Sequence, residues 1–492
     1  MMQSEIKTFT HFKAFAFACL VFIIPLILAN IYYYDDYGRS LHGYTSWMVV
    51  DGRPLTELLF ISLMQSTRMY DAAPLPLLIG IIIISYSLTV FAKEVFKESN
   101  IYSYVIPLTI FGSPFLLEPL SYRFDSLSFA VSIALSIVYI KNIEQVRARF
   151  FYGVACITGV FCLYQTSINM LAIMSLIPIH IMINNGEDTK SILRKIYLTI
   201  IELVFGLFLY AIINKITFNG AYNNYHPSIT PDNIIINISR NAFEYYIFIT
   251  KMLPHGSFWF ILLLAFSFLF SLSLCIKTKY KTNKGLAYIV VISLILPLIA
   301  IISICGILLP MDKSLLYPRS IIGLSAYFLY VSTICYLGMK KNMQFISLVF
   351  IVPVMSTVLI SYAYGNAYRS QYDLFNDIAK SIKSDTKDIQ RGTALISFNG
   401  SQPESEVYIN SSATYPIIKK LVPNEFYNGW WAIKYLIFKG MYQPGNWYSK
   451  DKVQYSIHEL SCNYDRKISG MYYDIFIKKN LIVVDFDKNR CS

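Results

Sequence analysis

Long uninterrupted apolar stretches constrain the fold of this chain more than any other feature of its sequence. A helix needs about 20 apolar residues to cross the roughly 30 Å of hydrocarbon in a bilayer, and several segments meet or approach that length. The first, residues 14–31, is followed by a polar acidic segment without a small-residue cleavage site, which favours a retained span over a signal peptide. The sequence therefore predicts a polytopic integral membrane protein.

The apolar stretches predict about eleven transmembrane helices. They cover residues 14–31, 73–92, 101–117, 124–140, 151–166, 168–183, 196–213, 258–276, 286–309, 320–338 and 345–364. Short clusters of Lys and Arg fall in alternate connections between these spans, which is typical of the cytoplasmic face. With an odd number of spans, we expect a cytoplasmic N-terminus and a C-terminal region on the opposite, outer face of the membrane.

Composition changes after residue 364 and predicts two domains, a transmembrane domain over 1–364 and a small α+β domain over 365–492 on the outer face. Helical periodicity over 366–389 precedes a series of short strand-like runs. These runs cover residues 394–398, 407–409, 453–457, 472–477 and 481–486. The predicted fold class is therefore mainly α, with a small α+β domain at the C-terminal end.

Two further apolar segments lie between spans, in connections predicted to face outside. Residues 54–66 begin with Pro54, which favours the first position of a helix. The segment after Thr230 also carries a helix-start pattern, and then turns apolar. Both are predicted to form helices at the membrane interface.

The formal net charge of +12 raises the question of a nucleic-acid partner. The basic residues occur as short clusters between apolar spans, where they orient membrane helices. No basic stripe is interleaved with base-stacking aromatic residues. We therefore predict a lipid bilayer as a partner, and no nucleic acid.

Two adjacent carboxylates, Asp35 and Asp36, follow the first span. Charge is costly near hydrocarbon, so such residues usually line a wet cavity. Because adjacent carboxylates repel, one is expected to hold a proton while its neighbour stays ionised. An ionised carboxylate can deprotonate an acceptor hydroxyl. The alternative is a pair of ordinary interfacial acids beside a belt of tyrosines.

Other polar residues recur in the segments predicted to lie outside. Arginine suits phosphate, since its planar fork can bind two oxygens at once. An isolated arginine would instead anchor lipid headgroups, but a set accompanied by acids favours a site. This set comprises Trp47, Arg53, Glu118, Arg123, Asp125 and Arg319.

Sequence motifs in these segments resemble a known family. The motifs are Tyr33-Tyr34-Asp35-Asp36-Tyr37-Gly38-Arg39, His42-Gly43-Tyr44-Thr45, Asp51-Gly52-Arg53-Pro54-Leu55 and Tyr122-Arg123-Phe124-Asp125-Ser126. They are similar to the phage- and bacterium-encoded glucosyltransferases that modify lipopolysaccharide O-antigen in serotype conversion. Paired acids after the first span are also a mark of membrane glycosyltransferases of the GT-C fold.

This resemblance implies transfer of a glucosyl group from undecaprenyl-phosphate glucose to an O-antigen sugar of lipopolysaccharide, on the periplasmic side. It also implies a bacterial inner membrane as the location, with the domain over 365–492 in the periplasm. Catalytic roles would fall to Asp36, Asp35 and Asp125. Arg39, Arg53, Arg123 and Arg319 would bind the donor phosphate, and His42, Trp47 and Glu118 would position substrate. No cofactor and no metal-ligand motif are predicted, although two acids and a phosphate can hold a divalent ion. Inversion and retention at the anomeric carbon both remain open.

Other readings of the chain are an O-antigen polymerase or another enzyme of lipid-linked glycans, a lipid-linked-sugar transporter or flippase, and a phage binding or exclusion protein. Glu202, inside a span, is predicted to be paired or snorkelling. Trp430, Trp431 and Trp447 are predicted to pack in a core rather than stack on sugars. Cys462 and Cys491 can pair only if their region faces an oxidising compartment.

Overall fold

A computed structural model describes residues 2–220, 227–279, 286–388, 395–441, 463–478 and 481–488. The chain divides into two compact units. The first contains residues 1–27, 45–362 and 415–417, and the second contains residues 28–44, 363–414 and 418–492.

The N-terminal part of the chain is helical, because a long apolar run in lipid has no water to bond its backbone and a helix satisfies those hydrogen bonds internally. Its helices are α1 Met2–Ala29, α2 Asp35–His42, α3 Trp47–Asp51, α4 Pro54–Met64, α5 Leu75–Val95, α6 Ile101–Leu108, α7 Leu117–Ser121 and α8 Ser126–Val138. The helices that follow are α9 Val146–Leu163, α10 Ile168–Met174, α11 Leu176–Asn185, α12 Thr189–Thr217, α13 Ile234–Met252, α14 Gly256–Lys279, α15 Leu286–Ile302, α16 Gly323–Gly338 and α17 Ile351–Asp385.

Short 3-10 segments occur between several of these helices, mostly where the chain turns or changes direction. They cover Thr109–Gly112, Pro114–Leu116, Gln165–Ser167, Pro231–Asn233, Gly306–Leu308, Pro318–Ser320 and Lys341–Phe350.

Among the described residues, seven helices are long and apolar enough to cross a membrane, or eight if one bent pair counts as a single span. The bent pair is Ile101–Gly112 with Pro114–Ser121, and its two halves meet at 67°. The remaining predicted spans coincide with shorter apolar helices at Ser126–Val138, Val290–Ile302 and Gly323–Gly338. The prediction of a mainly α, polytopic membrane protein is confirmed.

Both helices predicted between spans are present. The first is α4, with Pro54 at its N-terminal position. The second is α13, preceded by the 3-10 turn Pro231–Asn233. Their placement at the membrane interface stays a prediction.

A buried ion pair links α9 to α12 within the first unit. Arg149 Nη2 lies 3.3 Å from Glu202 Oε2, and both side chains are almost completely buried. The hydroxyl of Tyr139 donates to the same carboxylate oxygen. Gly153 leaves room for this carboxylate, since a Cβ there would collide with it. The prediction that Glu202 is a paired acid is therefore confirmed.

Beyond α17, the described residues of the second unit form a four-stranded sheet and three short helices. The strands are β1 Leu395–Asn399, β2 Arg466–Ser469, β3 Asp474–Lys478 and β4 Leu481–Asp485, and the helices are α18 Glu406–Thr414, α19 Ile418–Leu421 and α20 Trp430–Phe438. The strand order is β1-β4-β3-β2. β1 runs parallel to β4, with Phe398 opposite Val484, whereas the other two pairs are antiparallel.

The core of this unit joins α17, the sheet and α20 with Tyr37, which lies far earlier in the chain. Tyr37 of α2 is fully buried in the same cluster as Phe375, Phe398, Phe426 and Tyr435. This packing explains why residues 28–44 belong to the second unit although they precede most of the first.

The structure corrects several local predictions in this region. Residues 407–409 are not a strand but part of α18, and residues 466–469 form a strand that was not predicted. The predicted last span and the helix after it are one continuous helix, α17. The three predicted strands at 394–398, 472–477 and 481–486 are present as β1, β3 and β4. The strand predicted at 453–457 lies outside the described residues.

Candidate functional site

The acid pair forms the first turn of α2, a short helix of the second unit. Asp35 and Asp36 lie at its N-terminus, and Arg39 and His42 lie in its last turn. This order suits the helix dipole, which favours negative groups at the start and positive groups at the end. Gly43 closes the helix with a left-handed backbone, φ 68°.

The two acids differ in their surroundings. Asp36 is fully buried, and its Oδ2 accepts the backbone N–H of Tyr33 at 2.8 Å. Asp35 is partly exposed. The residue before the pair, Tyr34, has a φ of 41°, a left-handed conformation that is uncommon outside glycine. Strained backbone of this kind concentrates at functional sites.

A tryptophan from α20 holds the exposed acid. The indole N–H of Trp431 donates to Asp35 Oδ1. Trp431 is 40% exposed, which corrects the prediction that it packs in a core. The ring of Tyr34 meets it edge-on, with ring centroids 5.7 Å apart. Trp447 lies outside the described residues.

His42 is paired with a lysine of the same helix α20. Lys434 Nζ lies 2.8 Å from His42 Nε2. An ammonium group can only donate, so Nε2 accepts and the imidazole carries its proton on Nδ1. Partial burial and, secondly, the charge of Lys434 lower the pKa of His42. His42 is therefore neutral at pH 7 and offers an N–H donor.

Gly38 allows α2 to approach α20 closely. A Cβ at Gly38 would lie 3.0 Å from Trp430 Cη2 and 3.0 Å from the hydroxyl of Tyr44. On the next residue, the buried Arg39 places its guanidinium 5.2 Å from the centre of the Tyr44 ring. Close packing at Gly38 thus fixes the helix that carries both acids.

Glu425 is a buried acid that contacts α2. Tyr37 donates through its hydroxyl to Glu425 Oε1 at 3.0 Å, and both side chains are buried. Burial raises the pKa of Glu425 to about 8, against smaller opposing effects of the Tyr37 hydrogen bond and the Lys439 charge. Glu425 is therefore mainly protonated at neutral pH.

The first unit holds a second group of predicted residues around Asp125. This carboxylate is 4% exposed and accepts the indole N–H of Trp47 at 2.7 Å. Arg53 Nη1 lies 3.9 Å from the same oxygen, Oδ1. Trp47 is itself buried and stacks on Phe60, with centroids 5.0 Å apart. The structure thus brings Trp47, Arg53 and Asp125 together.

Arg53 is positioned by the break between α9 and α10. Its Nε donates to Gln165 Oε1 at 3.3 Å, and its guanidinium lies 4.9 Å from the centre of the Tyr164 ring. Gln165 also donates through Nε2 to the backbone carbonyl of Asp51 at 3.0 Å. The side chain of Arg53 is 22% exposed. A partly exposed, oriented arginine of this kind can receive an anion.

Glu118 and Arg319 form a second pair in the same unit. Arg319 Nη1 lies 2.5 Å from Glu118 Oε1 and 2.5 Å from the hydroxyl of Tyr122. The backbone N–H of Arg319 donates to the other carboxylate oxygen at 2.8 Å. Glu118 is buried, whereas the arginine side chain is 28% exposed. The bend after Gly112 is what directs α7, and hence Glu118, toward this pair.

Tyr164 connects the two arginines. Its ring faces Arg53, and its hydroxyl donates to the backbone carbonyl of Arg319 at 3.0 Å. Arg123 makes a different contact, since its guanidinium donates to both carboxylate oxygens of Asp71 at 3.2 and 2.9 Å. Tyr164 and Gln165 were not predicted to be part of the site. Their only signal in the sequence is the polar interruption Tyr164-Gln165-Thr166-Ser167 between two spans.

Sequence reasoning also missed Lys434 and Glu425, and it assigned Trp431 to a core. Within the described ranges, no three His, Cys, Asp or Glu side chains lie close enough to hold a metal ion. Cys462 and Cys491 both fall outside those ranges.

The fold and these clusters define a class of protein. It is a polytopic α-helical membrane protein in which buried carboxylates pair with partly exposed arginines. A family model described as "Glucosyl transferase GtrII" matches residues 24–335. The chain belongs to the GtrII glucosyl transferase family, as the sequence motifs predict, and is a membrane glycosyltransferase.

A curated relative supports the same grouping. The chain is 26% identical over 476 residues to an "Uncharacterized 55.3 kDa protein in gtrB 5'region" of Salmonella phage P22, with 95% of this chain and 96% of the relative covered. No solved structure matches the chain.

Proposed function

We propose that this protein transfers a glucosyl group from undecaprenyl-phosphate glucose to a sugar of lipopolysaccharide O-antigen, on the periplasmic side of the inner membrane. The observation that carries the proposal is the acid pair at the start of α2 in a chain of the GtrII family. The phage P22 relative, named for its position beside gtrB, agrees with a role in a phage-encoded pathway.

The choice of donor follows from compartment chemistry. Nucleotide sugars are confined to the cytoplasm, so an enzyme facing the periplasm needs a donor carried by the membrane. A polyprenyl chain can lie against apolar helices while its phosphate stays at the interface. The phosphate leaves as a stable anion, so its departure requires cations and no general acid.

Asp35 is the better of the two acids for the catalytic base. It is partly exposed, and the Trp431 N–H fixes one of its oxygens. It would take the proton from the acceptor hydroxyl as that hydroxyl attacks the anomeric carbon. Asp36 is fully buried, which supports a positioning role through its bond to the Tyr33 backbone. Asp125, held by Trp47, is assigned to positioning in the same way.

Arg53 and Arg319 are the arginines best suited to the donor phosphate. Both are partly exposed, and both are oriented by buried carboxylates and by Tyr164. Arg39 is buried, and Arg123 is already paired with Asp71 through two hydrogen bonds, which supports structural roles for these two. The acids of α2 and these arginines lie in different units, so each assignment is tested by its own variants.

The test uses purified protein in lipid nanodiscs, undecaprenyl-phosphate carrying labelled glucose, and O-polysaccharide as acceptor. We expect label in the polysaccharide with wild type and none with heat-treated protein. A parallel panel of other lipid-linked hexoses identifies the donor. If no lipid-linked sugar yields product, the enzyme proposal is wrong. The same protein is also reconstituted into sealed vesicles, and if label crosses the vesicle membrane without joining an acceptor, the chain is a transporter.

A further inference from the structure

We propose that Tyr34, Trp431, Lys434 and His42 form an acceptor-sugar subsite, in which one face of a pyranose ring stacks on the Trp431 indole beside Asp35. This inference rests on the proposed function, because it identifies the stacked ring as the acceptor. All four residues belong to the second unit.

The first argument is the exposure of Trp431. An indole is normally largely buried, yet 40% of this side chain is exposed. Its N–H donates to Asp35 and its ring contacts Tyr34 edge-on. These two contacts hold the indole in one orientation. A fixed and exposed aromatic face is suited to the C–H face of a sugar, which is flat and apolar.

The second argument is the presence of two polar side chains, Lys434 and His42. Lys434 follows Trp430 by one helical turn on α20 and lies 5.1 Å from the centre of that ring. It also donates to His42, whose Nδ1–H is left as a donor. The ammonium is carried on the same helix as Trp431 and the neutral imidazole on the same helix as Asp35, so both supply donors that sugar hydroxyls accept. The same group would not suit a lipid tail, which offers no acceptor.

The third argument is the neighbouring acid. Trp431 occupies Oδ1 of Asp35 with a hydrogen bond, so the second oxygen of that carboxylate is the one free to take a proton from substrate. A sugar lying on the indole would place its hydroxyls next to that oxygen. The sugar that gives up a proton is the acceptor, since the donor reacts at its anomeric carbon. The stacked ring is therefore the acceptor rather than the glucosyl group.

Two substitutions of Trp431 separate stacking from hydrogen bonding. Trp431→Leu removes the aromatic face and the N–H, whereas Trp431→Phe removes the N–H and keeps a smaller aromatic face. The matched control is Tyr472→Leu, since Tyr472 is another exposed aromatic residue of the same unit, 37% exposed. The probe is soluble O-polysaccharide cleaved from lipopolysaccharide, and its binding is measured by calorimetry without any donor.

We expect Trp431→Leu to weaken polysaccharide binding by about tenfold or more, and to raise the acceptor KM while the donor KM stays unchanged. Trp431→Phe should bind within a few-fold of wild type yet turn over more slowly, because Asp35 has lost its partner. Tyr472→Leu should behave as wild type in both measurements.

Unchanged polysaccharide binding in Trp431→Leu would overturn the subsite, and so would the absence of binding by wild type. Neither result would refute the proposed transferase if labelled glucose still reaches the polysaccharide. Conversely, tight binding that depends on Trp431 without any transfer would support the subsite and count against the proposed donor.

Discussion

The indole N–H of Trp431 donates a hydrogen bond to the carboxylate of Asp35, although the two residues are 396 positions apart in the chain. This contact joins the first polar segment to the C-terminal helix α20. It gives the acid pair a partner that its own segment does not supply. Both residues belong to the second unit, which therefore takes part in the proposed chemistry.

Stability should fall as pH rises from about 4.5 to about 8, because of Glu425. The folded-state pKa of this buried carboxyl is about 8, whereas the unfolded chain ionises near the ordinary value of about 4.3. Over that window the folded state keeps a proton that the unfolded state releases, so rising pH favours unfolding. The measurement is thermal unfolding in detergent at pH 5 and pH 8.

Glu425→Gln should reduce the difference between those two transitions, since the amide stays neutral and can still accept from Tyr37. Glu404→Gln is the matched control, because Glu404 is exposed in the same unit. An equal pH dependence in wild type and Glu425→Gln would show that Glu425 is ionised in the folded protein.

Replacing Arg53 or Arg319 by lysine should raise the donor KM by roughly tenfold or more, because the charge remains but the two-oxygen fork is lost. The acceptor KM should stay within a few-fold of wild type. Arg369→Lys serves as the control, since Arg369 is exposed and pairs with Asp373 one turn along α17. If neither Arg53→Lys nor Arg319→Lys changes the donor KM, these arginines do not bind the phosphate.

The Arg149–Glu202 pair should be important for stability. Glu202→Gln leaves a buried guanidinium without its counter-ion, and breaking such a pair costs about 3–5 kcal/mol. The double variant Arg149→Met, Glu202→Leu should be more stable than either single variant, because no charge is left buried. Thermal unfolding in detergent measures both effects. A wild-type transition temperature in Glu202→Gln would mean that the pair contributes nothing.

The membrane helices could be predicted from the sequence because each requires only a local property, an apolar run of sufficient length. Short segments outside the spans were harder to assign to a helix or a strand. Residues 407–409 are an apolar triplet that fits a strand, yet they form part of α18. A run this short does not distinguish the two periodicities, and tertiary packing decides between them.

The composition of the candidate site was only partly predictable. Asp35, Asp36, Arg53 and Asp125 were visible as charges beside apolar spans, where charge is costly. The contact of Asp35 with Trp431 was not, since no local pattern relates residues so distant in sequence. Trp431 was expected in a core because large aromatic residues usually bury there, and its exposure is set by the packing of α20 on α2.

The most direct test of the account is the turnover number of Asp35→Asn beside Asp36→Asn and wild type, with saturating undecaprenyl-phosphate glucose and O-polysaccharide. Asparagine keeps an oxygen that accepts the Trp431 N–H, so the substitution removes the base with little disturbance of the fold. We predict that Asp35→Asn lowers kcat by about 100-fold to 10,000-fold with both KM values nearly unchanged. Wild-type turnover by Asp35→Asn would contradict the assignment of the base, and wild-type turnover by both variants would remove the acid pair from the chemistry altogether.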